Sequence, residues 1–247
     1  MKTLKLKKIF AVAVVAIGLA AGVANVAFSA VPTDPDTEGV QLWADGPYWA
    51  TCNVGASKPE DYGYYFWWGD TVGYRYLNSK WEAVASSTVI EFSSGKAPAN
   101  STCNKTVDQL KAAGYLDAQN NLVSSCDAAT AYLGAPWRMP TKADFDNLKG
   151  KCTTVWANNW NGTGVNGCLV TGKTTGYTDK SIFLPAAAYG YGAVPGATGS
   201  YGDYWSSTPY SDSSSGWRFD FLSTTFNVGS NYRYVGRPVR PVRGFAK

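Results

Sequence analysis

The C-terminal third of this chain is a succession of short β-type runs separated by glycine, proline and serine, and this pattern limits the fold more than any other feature. In the run WRFDF, Trp217, Phe219 and Phe221 alternate with Arg218 and Asp220, which is the period of a strand with one buried face. We therefore expect Arg218 and Asp220 to face outward. The predicted strands cover residues 168–171, 181–185, 204–207, 217–221, 232–235 and 238–243.

The preceding part of the chain combines a predicted hairpin with short predicted helices. VQLW (40–43) and YWATCNV (48–54) flank Asp45-Gly46, a dipeptide that suits a tight hairpin turn. Thr141 and Asp144 have the spacing of a capping box at the start of a helix. Two further helices are predicted at 107–114 and 127–133. We interpret the aromatic segment 61–70 as core packing, with groove lining as the alternative, and 77–102 as a long irregular loop.

The N-terminus has the pattern of an export signal. Four lysines precede an apolar run, and small residues follow it, so residues 1–29 are predicted to be a cleaved signal peptide. An uncleaved membrane anchor is the alternative. Residues 30–37 then form a linker and 38–247 one domain. No other segment is apolar enough to span a membrane, so the chain is expected to be secreted or held at the cell surface.

Charge argues against a nucleic-acid partner. The four lysines of the signal account for the net charge of +4, and the remaining 18 basic residues balance the 18 acidic ones. Phosphate backbones are normally recognised by clustered basic residues, and the only cluster is Arg233, Arg237, Arg240 and Arg243. We expect these arginines to pair with acids such as Asp203 or Asp220, in preference to binding nucleic acid.

The absence of histidine excludes several kinds of active site. A Ser-His-Asp triad, a Cys-His dyad and a histidine-ligated zinc site all require it. Paired carboxylates remain open, and Asp203, Asp212 and Asp220 are the candidates for them. We predict no catalytic residue, no metal and no cofactor.

Five cysteines in an exported chain indicate disulfides with one thiol left over. Cys152 and Cys168 are the first predicted pair, in a loop of about 15 residues that would contribute about 3 kcal/mol. Cys103 with Cys126 is the second, which leaves Cys52 as a free and buried thiol.

The last fifty residues have the composition of a recognition surface. Tyrosine, tryptophan, serine, aspartate and asparagine dominate the segments 201–210 and 230–234. Aromatic side chains supply contact area at low entropic cost, and short polar ones supply adaptable hydrogen bonds. The alternative is that the aromatics fill a core, which we expect for Trp205, Trp217 and Phe219.

Six ordered sequence blocks between residues 38 and 244 resemble a known family, the major paralogous domain first noted in Fibrobacter. The blocks are WATCNVGA (49–56), KPEDYG (58–63), WRMPT (137–141), SIFLPAA (181–187), YWSS (204–207) and VRPV (239–242). The resemblance implies an α+β, C-type lectin-like fold of mixed antiparallel sheets, two or three short helices and long irregular loops, with the terminal strands paired. The same fold occurs in the variable proteins of diversity-generating retroelements.

The resemblance also implies a ligand-binding face on the C-terminal sheet. The chain lacks the Trp-Asn-Asp strand of calcium-dependent lectins, which argues against calcium-mediated sugar binding. No cysteine follows Cys168, which argues against the activity of formylglycine-generating enzymes, because these need reactive cysteines late in the domain. We therefore expect a binding module or adhesin for a protein or glycan on another cell or surface. A structural envelope component and a carboxylate-dependent glycan hydrolase are the alternatives. The expected ligand-binding residues are Tyr210, Asp212, Ser213, Arg218, Asp220, Thr225, Asn227, Asn231, Tyr232 and Tyr234.

Overall fold

The computed structural model describes residues 39–98, 102–212 and 214–244. The predicted signal peptide (1–29) and linker (30–37) lie outside this range. Ser213, one of the expected ligand-binding residues, lies outside it as well. Within the described part of the chain, short helices and antiparallel sheets alternate. The strands are β1 (Val40–Gln41), β2 (Tyr48–Trp49), β3 (Tyr65–Phe66), β4 (Tyr74–Leu77), β5 (Lys80–Ala83), β6 (Val89–Ile90), β7 (Trp137–Arg138), β8 (Cys152–Ala157), β9 (Gly167–Gly172), β10 (Ser181–Pro185), β11 (Gly190–Tyr191), β12 (Val194–Pro195), β13 (Gly202–Pro209), β14 (Ser215–Phe221), β15 (Phe226–Tyr232), β16 (Arg237–Pro238) and β17 (Val242–Arg243).

The three predicted helices are confirmed, and each begins at a capping side chain. They are α1 (Val107–Ala112), α2 (Ala128–Leu133) and α3 (Lys142–Lys151). The Thr141 hydroxyl accepts a hydrogen bond from the Asp144 backbone N–H, and the Asp144 carboxylate accepts one from the Thr141 N–H. Such caps are worth about 1 kcal/mol each. Asp144 also forms an ion pair of 2.7 Å with Arg138, which ties the start of α3 to β7.

The two ends of the described domain meet in one sheet of order β1-β2-β17-β7. The predicted N-terminal hairpin is confirmed, because Val40 pairs with Trp49 and Asp45 adopts a positive φ of 60° in the turn. Val242 pairs with Trp49 on its other side. The last strand therefore pairs with the second strand of the N-terminal hairpin, so the two ends of the domain meet as expected.

Four further sheets complete the structure. β10-β9-β8 and β13-β14-β15 are three-stranded, β11-β12 is a hairpin, and β16-β3-β4-β5-β6 is five-stranded. The prediction of an irregular segment at 77–102 is wrong for β5 and β6, since Trp81 pairs with Ile90 there. The predicted strand at 232–235 is also displaced. The strand is β15, which ends at Tyr232, and a turn follows it.

The aromatic segment 61–70 lies in the core, as predicted. Tyr65, Phe66, Trp67 and Trp68 are all buried. Trp68 donates its indole N–H to the Ser206 carbonyl at 2.8 Å, so this segment is anchored to β13. The core therefore reaches directly beneath the C-terminal sheet and fixes its position.

Candidate functional site

The strand register of the C-terminal sheet separates its side chains into two faces. Phe219 pairs with Tyr204 on β13 and with Val228 on β15, and its ring stacks on Phe145 of α3 at 5.4 Å. This face is therefore core. Successive residues point to opposite faces of a strand, so the other face carries a second set of side chains. This polar face consists of Asp203, Trp205, Arg218, Asp220, Asn227 and Asn231.

Five side chains on and beside the polar face contact one another through ion pairs and hydrogen bonds. We call them the charged cluster: Tyr201, Asp203, Arg218, Asp220 and Arg237. Arg218 lies 2.7 Å from Asp220 and 3.4 Å from Asp203, and Arg237 lies 2.6 Å from Asp203. The Tyr201 hydroxyl accepts a hydrogen bond from Arg218 at 2.8 Å and donates one to Asp220 at 3.2 Å. Two positive charges thus neutralise two negative ones.

The charged cluster corrects the expectation that Arg218 and Asp220 face outward. They do lie opposite Phe219, but each side chain is only 13% exposed, and Asp203 and Arg237 are 1% exposed. Burial raises the pKa of Asp203, against the opposing effect of Arg237 and Arg218. Burial alone would lower the pKa of Arg218, but Asp203, Tyr201 and Asp220 together raise it. The cluster therefore stabilises the sheet, and only a small part of the Arg218 and Asp220 side chains is accessible to a ligand.

Three tyrosines beside the cluster form an aromatic array, in which Tyr191 and Tyr232 are exposed and Tyr234 is partly buried. We call this array the tyrosine ladder. Tyr232 and Tyr234 stack with ring centroids 4.9 Å apart and planes inclined by 13°. Tyr191 lies 6.4 Å from Tyr234. Tyr191 is 57% exposed and Tyr232 is 50% exposed. Tyr191 was not among the ligand-binding residues predicted from the sequence, although the glycines at 190 and 192 indicate a tight hairpin that would expose its side chain.

Backbone hydrogen bonds hold the ladder in place. Gly190 and Gly236 exchange two of them, at 2.7 and 2.9 Å. Trp67 donates its indole N–H to the Tyr234 carbonyl at 3.0 Å, and Arg237 donates to the Tyr232 carbonyl at 3.3 Å. Arg237 therefore contacts both the ladder and Asp203, and it joins the ladder to the charged cluster.

The C-terminal arginines are structural. Arg237 pairs with Asp203, as predicted, but Arg233 and Arg240 bind oxygen atoms of uncharged groups instead. Arg233 donates to the carbonyls of Ser215 at 2.8 Å and Lys105 at 2.7 Å, and its guanidinium lies 4.7 Å from the Trp68 ring centroid. Burial lowers the pKa of Arg233 to about 10. Arg233, Arg237 and Arg240 are fully buried, so their guanidinium groups do not form a basic patch on the surface.

Arg240 and Arg243 complete this set. Arg240 donates to the Asn53 side-chain carbonyl at 2.8 Å and to the Thr51 carbonyl at 2.8 Å. Arg243 lies over the rings of Tyr48 and Trp137, with centroid distances of 5.3 and 5.5 Å. Both residues therefore fasten the last strands to the N-terminal hairpin.

The expected ligand-binding residues do not share one patch, which corrects the prediction. Asn227 and Asn231 lie on the polar face, whereas Tyr232 pairs with Ser215 and extends from the opposite face before it stacks on Tyr234. Thr225 is exposed in the turn that leads into β15. It lies a strand length away from Tyr232, on the order of 20 Å.

Tyr210 and Asp212 form a separate group at the β13–β14 turn. The Tyr210 ring lies edge-on to Trp217 at 5.0 Å. The Asp212 carboxylate accepts backbone hydrogen bonds from Ser214 at 2.9 Å and Ser215 at 2.6 Å. Partial burial favours a higher pKa for Asp212, but these hydrogen bonds outweigh it and lower the pKa.

The three candidate carboxylates of the hydrolase hypothesis are all engaged. Asp203 and Asp220 pair with arginines of the charged cluster, and Asp212 binds two backbone N–H groups. A glycosidase needs one carboxylic acid and one accessible base or nucleophile on either side of a bond. No pair of these three residues has that arrangement.

The predicted Cys152–Cys168 disulfide is absent, and no disulfide is found among the described residues. Cys152 lies opposite Gly172, and Cys168 lies opposite Trp156. The two residues are thus displaced by four positions along neighbouring strands, which is beyond the reach of a disulfide. No disulfide joins Cys103 to Cys126 either. Cys52 is partly exposed instead of buried.

Neither a metal site nor a membrane helix is found in the described residues. No three cysteine or acidic side chains come together there as metal ligands would. No helix among them has the length and apolar character needed to cross a bilayer.

The comparisons with known proteins match only part of the chain. A family model described as a domain of unknown function, DUF8237, matches residues 173–242. That segment contains β10 to β16 and the start of β17, and therefore both the tyrosine ladder and the charged cluster. No curated protein and no solved structure matches the chain.

Proposed function

We propose that this protein is an exported binding module or adhesin with a C-type lectin fold, and that it recognises a protein or glycan on another cell or surface. The tyrosine ladder, with the edge of the polar face beside it, is the proposed contact surface. The observation that carries the proposal is the exposure of stacked tyrosines on a rigid support. Exposed tyrosine rings bury a large apolar surface area when a ligand covers them.

The backbone that carries the ladder is rigid, which favours ligand binding. The ladder is fixed by the Gly190–Gly236 pair and by donors from Trp67 and Arg237. A surface that is already ordered loses little conformational entropy when it binds. The two positive and two negative side chains of the charged cluster cancel, so the cluster adds no strong electrostatic field beside the ladder. We therefore expect the ligand to be recognised by aromatic contact and hydrogen bonds.

Exposed positions on β15 and in its flanking turn suit a surface that diversifies. Thr225, Asn227 and Tyr232 are exposed, while Phe219 and Phe221 on the neighbouring strand are buried. Side chains of the first group can change without altering the core. A relation to retroelement-diversified proteins predicts adenine-rich codons at these positions, a near-identical repeat downstream and a neighbouring reverse transcriptase gene. A locus without these elements would leave the binding proposal standing and remove the diversification.

The test is a binding screen of the full chain on arrays of glycans and cell-surface proteins. A variant with Tyr191→Ser, Tyr232→Ser and Tyr234→Ser should lose at least about tenfold in affinity for any target found. The matched control is Tyr76→Ser, which removes a tyrosine that is also exposed but lies on β4. Equal binding by the ladder variant and the wild-type chain would contradict the proposal, and so would the absence of any target.

A further inference from the structure

The C-terminal sheet carries, at its β13–β14 turn, an aromatic cleft whose lining contains no residue of the tyrosine ladder. Trp217 points to the face opposite Arg218, because the two are adjacent in β14. It lines an open surface cavity of about 570 Å³. We call this cavity the Trp217 cleft. The residues that matter for its chemistry are Asp108, Gln119, Asn120, Thr208, Tyr210 and Trp217.

The aromatic wall of the cleft is held by its own strand. Trp217 pairs with Ser230 on β15, and its carbonyl accepts a hydrogen bond from the Ser206 hydroxyl at 2.9 Å. The Tyr210 ring stands at 70° to the Trp217 indole, and Lys142 Nζ lies 4.6 Å from the indole centroid. Both rings therefore keep their places without a ligand.

The polar rim of the cleft is also pre-formed. The Asp117 carboxylate accepts hydrogen bonds from the backbone N–H groups of Gln119 at 2.9 Å and Asn121 at 2.8 Å. Asn121 in turn accepts one from the Thr208 hydroxyl at 2.6 Å, which fastens the turn to β13. Asn120 has a φ of 61°, and the turn presents its side chain at the cleft.

Several polar groups around the aromatic pair are uncommitted. Among the described residues, no hydrogen-bond partner is found for the Trp217 indole N–H or for the side chains of Asp108, Gln119 and Asn120. An amide group offers both donors and acceptors, as the hydroxyl groups of a sugar require. Asp108 is the one carboxylate of the lining, and Lys142 beside Trp217 is paired with Asp146 at 2.5 Å. The cleft therefore has no free positive charge that would select an anion.

We propose that the Trp217 cleft is a second ligand site, which binds the end of a neutral carbohydrate chain. The Trp217 and Tyr210 rings contact the apolar face of a sugar ring, and the Asn120 and Gln119 amides bind its hydroxyl groups. The site uses no residue of the tyrosine ladder. Its test can therefore fail while the proposed function stands, and the reverse also holds.

The direct test follows the Trp217 indole N–H by NMR in the full chain labelled with ¹⁵N-tryptophan, with the resonance assigned from the Trp217→Phe variant. Six neutral trisaccharides are titrated separately: cellotriose, maltotriose, xylotriose, mannotriose, galactotriose and triacetylchitotriose. We expect at least one to shift the Trp217 resonance to saturation. The Trp160 resonance should stay unchanged, because Trp160 stacks on Phe183 at 4.4 Å in a different sheet.

Two variants and one matched control separate binding from folding. Asn120→Gly removes the amide and suits the positive φ, and Gln119→Ala removes an exposed side chain. Each should weaken binding at least about tenfold. Asn78→Gly, at an exposed asparagine with a φ of 51°, should bind like the wild-type chain.

Three outcomes would overturn the inference. The first is that no trisaccharide moves the Trp217 resonance at concentrations of about 10 mM, where even a dissociation constant near 1 mM would show. The second is that the Asn120→Gly variant binds as tightly as the wild-type chain. The third is that the sugar response vanishes in the triple ladder variant and persists in Asn120→Gly, which would assign the sugar to the ladder instead.

Discussion

Arg237 and Asp203 form an ion pair with a distance of 2.6 Å between Nε and Oδ2, and both side chains are 1% exposed. Desolvating two charges is costly, and the pair is stable only with further partners. Asp203 has a second one in Arg218 at 3.4 Å, and Arg237 lies 4.1 Å from the Trp205 ring centroid. The pair thus joins β16 to β13 beneath the tyrosine ladder.

Removing one partner of this pair should destabilise the domain strongly. Arg237→Met leaves Asp203 with Arg218 alone, and loss of one member of a buried pair costs about 3–5 kcal/mol. We expect a decrease at the lower end of that range in the free energy of unfolding, measured by urea denaturation. The double variant Asp203→Asn/Arg237→Met should lose less than the sum of the two single variants. Strict additivity would show that the two charges do not interact.

Four of the five thiols should resist modification in the folded protein. Burial raises the pKa of Cys168, and it raises that of Cys152 to about 11, so both remain protonated at neutral pH. The thiolate is the reactive form. With an excess of iodoacetamide, we expect rapid labelling of Cys52 alone and labelling of all five cysteines in urea, measured by mass spectrometry. Native protein lacking two thiols without reduction would instead indicate a disulfide.

The conformation of the turn at Asp212 should depend on acid pH. Hydrogen bonds from Ser214 and Ser215 favour the ionised carboxylate and lower the pKa of Asp212 despite partial burial. Stability from a carboxylate with a lowered folded pKa is fully present above the ordinary value of about 3.9 and is lost as pH falls through the folded pKa. Acid titration by NMR should therefore move the Ser214 and Ser215 amide resonances together below that value. Asp212→Asn should remove this transition, and its persistence in that variant would assign it to another group.

Local sequence patterns predicted the helices well, because each helix carries its own starting signal. Thr141 and Asp144 specify a capping box within four residues, and no distant contact is needed to recognise it. The alternation of Trp217, Phe219 and Phe221 likewise identified β14 and its two faces. The position of these elements relative to one another depended on pairings such as Val242 with Trp49, which the resemblance implied and local patterns did not.

The burial of the polar face depends on contacts that the alternation of apolar and polar residues along β14 does not predict. Arg218 was assigned correctly to the face opposite Phe219, but Asp203 and Arg237 cover much of it from distant parts of the chain. The strand β15 was missed because its Asn-Val-Gly-Ser-Asn core is rich in residues that favour turns. Tyr-Arg-Tyr-Val resembles a strand, but Arg233 turns inward to bind the carbonyls of Ser215 and Lys105, and the strand ends before it.

Substitution by alanine should destabilise the protein at one glycine of the C-terminal sheet and have little effect at another. A Cβ at Gly202 would lie 2.0 Å from the Phe221 ring, whereas one at Gly229 would meet only the Asp220 carboxylate, at 3.6 Å. Gly202→Ala must displace a buried ring, and overpacking of this kind costs about 1–3 kcal/mol. Gly229→Ala should change the melting temperature by less than about 4 °C, since 1 kcal/mol corresponds to about 2–4 °C in a domain of this size.

The tolerance of Gly229 also supplies a way to obstruct the polar face. Gly229 pairs with Arg218, so a large side chain there would project over the exposed edge of the charged cluster. Gly229→Trp should keep the melting temperature of Gly229→Ala and weaken binding of a ligand that extends from the tyrosine ladder over this face. Binding in the Trp217 cleft should stay the same, because Trp217 lies on the opposite face of the sheet. A folded Gly229→Trp protein with undiminished ladder binding would confine the contact surface to the tyrosines themselves.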